Sequence, residues 1–131
     1  MITEDYVSFE TAKLLKEKGF NEICEMFYCK PHEGYLKNRK RDEWWNSDLR
    51  KDMTCTCPTI QMTMKWLREV HDIYVMIDKD FATEKGWHYV VVRKQDWADN
   101  IDYGLTQQES NSYTYEEAAE AAIKYCLENV I

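Results

Sequence analysis

The chain is poor in residues that break regular structure. Its 131 residues include two prolines and four glycines, which excludes a collagen-like repeat and a long linker-rich or low-complexity protein. No apolar run approaches the roughly 20 residues that a membrane-spanning helix needs. The opening stretch MITEDYVSFE carries acid and lacks the basic start of a secretory signal. The expected compartment is therefore cytoplasmic, with no membrane partner. Net positive charge is missing as well. A formal charge of −7 disfavours gripping a phosphate backbone through overall charge. There is no glycine-rich phosphate loop, no serine nucleophile elbow and no paired catalytic carboxylate motif.

Aromatic side chains are plentiful. Nine Tyr, five Trp and four Phe make up 14% of the chain, and hydrophobic residues make up 44%. That content fills the core of one compact domain, so a single domain over residues 1–131 is expected. The five cysteines are odd in number and do not have the spacing of a secreted disulfide scaffold. Reduced thiols follow from this.

SFETAKLLKEKGF predicts a helix over about 9–18. Ser8 is its N-cap, Ala12 and Leu15 (with Leu14) its apolar stripe, and Gly19 its left-handed stop, with Phe20 folding back. Residues 22–30 read as a strand. Residues 53–57 also read as a strand, because Met53, Cys55 and Cys57 alternate with Thr54 and Thr56. These two strands pair antiparallel, and the charged stretch at about 31–52 becomes the tip of a long hairpin. Pro58 opens a second helix over about 59–71, with Ile60, Met64, Leu67 and Val70 or His71 on its apolar face. Residues 74–81 and 86–94 form a second hairpin across ATEK, and 95–112 read as loop. The last helix starts with a capping box at Thr114 and Glu117. Its inner face is Ala119, Ala122, Ile123, Cys126, Leu127 and Val130. The order is α-β-β-α-β-β-α, an α+β fold with helices packed on a mainly antiparallel sheet.

Three segments carry a resemblance: YVSFETAKLLKEKGF, PTIQMTMKWLREVH and YTYEEAAEAAIKYCLENVI. Together, over about 60 residues, they resemble a family of small uncharacterised proteins of gut-bacterial prophages and other mobile elements. The resemblance implies a setting, that of an accessory protein of a mobile element. It carries over no cofactor and no site residue.

Several site hypotheses compete. Cys29, His32, Cys55 and Cys57, with Cys24 nearby, are enough ligands for a tetrahedral zinc ion. Their spacings, C-x4-C, C-x2-H and C-x-C, are not those of common zinc knuckles, so no metal and no other cofactor is expected. Cys57 beside a helix N-terminus is a candidate nucleophile, because a thiolate is favoured there. His32, His71 and His88 are the available bases, and no motif surrounds them. Asp78, Asp80 and Glu84 lack the glycine and distal glutamate of a calcium loop.

The charged tip stands out more. Residues 37–51 hold six Lys or Arg against three acids. Within that run Arg39, Lys40 and Arg41 precede Trp44 and Trp45, a pairing suited to a protein-binding patch or to phosphate contact with base stacking. The sequence therefore reads as an accessory or adaptor protein that binds another protein through this tip, rather than as an enzyme. A nucleic-acid-associated protein using the same residues and a small Cys or His enzyme are the alternatives. Self-association through the alanine-rich terminal helix is a further expectation.

Overall fold

A computed structural model gives the architecture and describes residues 1–29, 35–37, 45–48, 54–82, 84–95, 104–107 and 113–131. The chain falls into two compact units, Met1–Ile60 and Gln61–Ile131.

The first unit opens with α1 (Phe9–Glu17). The Ser8 side chain accepts from the Thr11 N–H at 3.2 Å and so closes the exposed start of the helix. Its end is a Schellman closure: Phe20 N–H donates to Leu15 O at 2.9 Å and Gly19 N–H to Lys16 O at 3.2 Å. Gly19 reaches φ 90°, a conformation that a Cβ would strain. Thr11, Ala12, Leu15 and Phe20 are buried, while Leu14 is only half-buried. Burying a side chain of the size of Leu15 or Phe20 stabilises the unit by roughly 1.5–3 kcal/mol.

The strands of this unit are β1 (Met26–Cys29), β2 (Tyr35–Lys37) and β3 (Thr54–Cys57). They form an antiparallel sheet of order β2-β1-β3. The expected pairing of β1 with β3 is present, with Tyr28 opposite Cys55 and Met26 opposite Cys57. The strand at 22–30 is shorter than its sequence suggests, and Ile23 is exposed. The segment at 31–52 is also more than a hairpin tip. Within it β2 returns along the far side of β1, and a 3-10 turn forms at Asn46–Asp48. The helix α1 packs on β3. The chain around Val7 runs beside Pro58, joined by Val7 N–H to Pro58 O at 3.1 Å and Ile60 N–H to Asp5 O at 2.9 Å.

The helix α2 (Ile60–His71) leads into the second unit. Its buried face is Ile60, Thr63, Met64, Trp66 and Leu67. Val70 is 56% exposed, so the apolar stripe stops one turn earlier than its spacing predicts. His71 packs its ring edge-to-face with Trp66, 4.6 Å between centroids. Asp72 then takes a left-handed conformation (φ 54°) and turns the chain at once into β4 (Ile73–Lys79).

β4 pairs with β5 (Trp87–Arg93), and β5 with β6 (Gly104–Gln107), both antiparallel. The order is β4-β5-β6. β6 lies in a stretch whose polar sequence reads as loop, and pairing to a central strand overrides the weak local signal there. The closing helix α3 (Tyr115–Asn129) packs on β4 and β5. Its predicted capping box is present: Glu117 N–H donates to Thr114 Oγ1 at 3.2 Å and Thr114 N–H to Glu117 Oε1 at 3.0 Å. Ala118, Ala119, Ala122, Ile123, Cys126 and Leu127 are buried, whereas Val130 is half-buried. The alanine face is thus covered within the chain. The predicted α-β-β-α-β-β-α order of an α+β fold holds, with β2 and β6 as additional short strands.

Candidate functional site

The cysteines of MTCTCPT serve packing. Cys55 and Cys57 are each 1% exposed, and Thr56 between them is equally buried, so β3 is covered on both faces. The Cys57 thiol donates to Val7 O at 3.4 Å. A thiol acting as donor to a carbonyl in a closed interior is not an exposed thiolate, and the nucleophile argued from the helix N-terminus has no access to substrate. Burial pushes the Cys55 thiol up to about 11 against the opposing pull of Lys16 and Lys13. It likewise pushes Cys24 up to about 11. In this closed interior burial favours the neutral thiol at both positions. Of the other zinc candidates, His32 and the Cys29 side chain lie outside the described residues. Among the described residues no cluster of three or more His, Cys, Asp or Glu could hold a metal ion. No described helix is long and apolar enough to cross a membrane.

Of the predicted tip, Arg39, Lys40, Arg41 and Trp44 lie outside the described residues. Trp45 is half-buried where the chain rejoins the first unit. The next residue is an anchor. Asn46 is buried, donates from Nδ2 to Phe20 O at 2.6 Å and accepts the Thr56 N–H on Oδ1 at 2.8 Å. Ser47 N–H adds a bond to Asn21 Oδ1 at 3.0 Å. One amide side chain therefore satisfies the last carbonyl of the α1 closure and an outward-facing donor of the edge strand β3.

A different surface, not singled out by sequence, lies on the second unit. β4 is the end strand of its sheet. Hydrogen bonds from Asp80 N–H to Gly86 O (2.8 Å) and from Lys94 N–H to Asp72 O (3.0 Å) fix the phase of its ladder. With the register Tyr74↔Val92, Met76↔Val90 and Asp78↔His88, the even-numbered residues bond to β5. The N–H and C=O groups of Ile73, Val75 and Ile77 point the other way, and no described residue pairs with them. Position 79 is closed, because Asp78 Oδ1 accepts the Lys79 N–H at 2.9 Å.

The side chains of β4 divide between the two faces. Ile73 is buried, and Val75 and Ile77 are half-buried on the side of Tyr89 and Val91, toward α3. Burial raises the pKa of the Tyr89 hydroxyl, with Tyr113, Tyr125 and Cys126 nearby. On the opposite face Tyr74 is 39% and Met76 48% exposed. Exposure grows along the strand toward the hairpin end, where Phe81 is 87% exposed. There Lys79 folds over the turn. Its Nζ donates to Glu84 O at 2.9 Å and lies 5.4 Å from the Trp87 ring centroid. His88 Nε2 is 3.8 Å from Asp78 Oδ2, an exposed pair that contributes little. Residues 61–131 hold seven Lys or Arg against thirteen Asp or Glu, so this unit carries −6 of the chain's −7.

The sequence held half of this signal. YVMI is uncharged on both faces, and an alternating strand with apolar residues on both sides has one of them in water unless something covers it. Which strand ends the sheet is a property of the fold, and no local pattern states it. Compared with protein-family models, with curated proteins and with solved structures, the chain matches none.

Proposed function

We propose that the protein is a binding module, an accessory or adaptor protein that works through protein–protein contacts. The carrying observation is the exposed strip of Tyr74 and Met76 beside an edge of β4 that no described residue pairs with. Large apolar side chains lined up in water next to unpaired backbone groups favour a protein ligand over a small molecule. The likeness of three segments to proteins of prophages and mobile elements supports an accessory role in that setting.

The test is affinity capture from a bacterial lysate with the wild type and a Tyr74→Ala/Met76→Ala double variant of unchanged circular dichroism. A polypeptide retained by the first and lost by the second is the expected result. Equal retention by both, or none by either, refutes the reading. The nucleic-acid alternative rests on Arg39, Lys40, Arg41, Trp44 and Trp45. It requires a retained polynucleotide whose binding weakens steeply with salt.

A further inference from the structure

We infer that the open edge of β4 takes up an extended segment of another protein as an added strand, and that this segment is apolar at alternate positions and basic between them. The inference rests on the binding-module reading and specifies its ligand.

The backbone comes first. Ile73, Val75 and Ile77 offer donors and acceptors at a two-residue repeat along one edge, enough for up to about six hydrogen bonds to an antiparallel strand. Unpaired edges invite such pairing, and proteins commonly block them with proline, a bulge or charge. Over Ile73–Ile77 β4 has none of these. The register shift of this sheet falls between Val91 and Val92, in the β5–β6 pair. A block appears only at the hairpin end, where Asp78 caps the Lys79 N–H. The open stretch is thus five residues long, the usual length of a strand.

The side chains then select the ligand. On an added strand, residues on the open face fall beside Tyr74 and Met76, whose exposed area is available to apolar or long aliphatic side chains. The opposing charge comes from Asp72, Asp78 and Asp80 at the two ends of the open edge, while the cation on the strand, Lys79, is turned onto the Glu84 carbonyl. Arginine suits both demands, since its stem covers apolar surface and its guanidinium reaches carboxylates. A second copy of this chain is disfavoured by the same charge, since two such units would bring like-charged ends together.

The experiment uses the full chain and a fluorescent nonapeptide of alternating valine and arginine. A valine–glutamate nonapeptide is the charge control. Anisotropy gives affinity, and hydrogen exchange followed by NMR reads the amides of Val75 and Ile77. The expected result is at least tenfold tighter binding of the arginine peptide, with slowed exchange at Val75 and Ile77. Val75→Pro, which removes one edge donor, and Met76→Lys, which replaces an exposed side chain, are each expected to weaken binding at least tenfold. Met76→Lys serves if Val75→Pro does not fold. Unchanged exchange at both amides under saturating peptide overturns the inference, as does a peptide affinity unaffected by Met76→Lys. Protection of both amides in a dimer without peptide also overturns it, in favour of self-pairing. Peptide bound with both edge amides unprotected sinks strand addition while leaving the binding-module reading intact. Loss of partner capture alone counts against that broader reading.

Discussion

Replacing Asn46 with alanine isolates the cost of one buried amide. The substitution removes the donor to Phe20 O (2.6 Å) and the acceptor for Thr56 N–H (2.8 Å) and supplies no replacement. Each orphaned buried group costs about 1–3 kcal/mol, so the sum is roughly 2–6 kcal/mol. For 131 residues unfolding in one step, at about 2.1 cal/mol/K per residue, that lowers Tm by roughly 7–22 °C. Urea denaturation followed by fluorescence measures the free energy, and hydrogen exchange at the Thr56 amide reports the local loss. An Asn46→Asp variant divides the two bonds. It keeps the acceptor for Thr56 but sets a carboxylate against the Phe20 carbonyl, so its folded-state pKa is raised. A carboxyl with a raised folded pKa stabilises the fold below its unfolded value and loses that contribution as pH rises through the folded value. Asn46→Asp should therefore recover part of its stability between pH 7 and pH 4 while Asn46→Ala does not. A wild-type-like midpoint for Asn46→Ala, within about 0.5 kcal/mol, refutes the anchor.

Four further outcomes follow from local features. Asp72 sits at φ 54°, so Asp72→Val should destabilise by about 1–2 kcal/mol in chemical denaturation, while Asp72→Gly stays near wild type; equal effects refute the strain. Thr114→Ala removes the capping side chain of α3 and should cost about 0.5–2 kcal/mol. The hydrogen bond from Thr114 N–H holds Glu117 below the usual glutamate pKa. Its contribution is present above the ordinary value and lost as pH falls through the lowered one, so the Tm gap between wild type and Glu117→Gln should close on acidification below about pH 4. Cys24, Cys55 and Cys126 have thiols pushed up to about 11, about 11 and about 12 by burial. Their neutral forms stabilise the fold up to the ordinary thiol pKa and lose that effect as pH rises toward 11–12. At pH 8 the peptides carrying these three and Cys57 should resist iodoacetamide until the chain unfolds, as read by mass spectrometry; rapid native labelling of Cys55 or Cys57 would reopen the case for a reactive site.

Local rules carried much of the fold. Ser8, Gly19 and the Thr114–Glu117 box set helix ends through hydrogen bonds made within a few residues, and each is present as its sequence predicts. The alternation around Cys55 and Cys57 placed β3 and its partner for the same reason. Elements defined by distant partners were not legible. β2 and β6 are short and polar, and they form because β1 and β5 offer them an edge. Val70 continues the spacing of α2 but stands in water, since a helical period says which face is apolar and not how far its cover extends. The candidate site fared worst, because its defining property is an unpaired edge. Pairing is a relation between strands, and residues 73–77 read the same whether the next strand is present or missing.

The treatment of the two sheet edges argues that the gap at β4 has a purpose. β3 also ends its sheet, and its outward Thr56 N–H is taken by Asn46, a buried side chain ten residues upstream that the chain orders at a real entropic cost. The backbone around Val7 and Pro58 pairs directly after it. On β4 the one comparable device among the described residues is Asp78, which covers the Lys79 N–H. An edge left open by neglect would expose small or polar side chains at little consequence. This one sets Tyr74 and Met76 in water beside three residues that no described residue pairs with, an arrangement that invites aggregation unless repulsion or a ligand restrains it. Asp72, Asp78 and Asp80 at the two ends of this edge supply the repulsion against further copies of the chain and, by the same sign, attraction for a basic strand. Lowering that charge should therefore expose the hazard. An Asp78→Asn/Asp80→Asn variant is expected to lose the valine–arginine peptide and to gain concentration-dependent association in sedimentation velocity. A variant that stays monomeric at high concentration and binds the peptide as tightly as wild type would separate charge from edge and remove the electrostatic half of the reasoning.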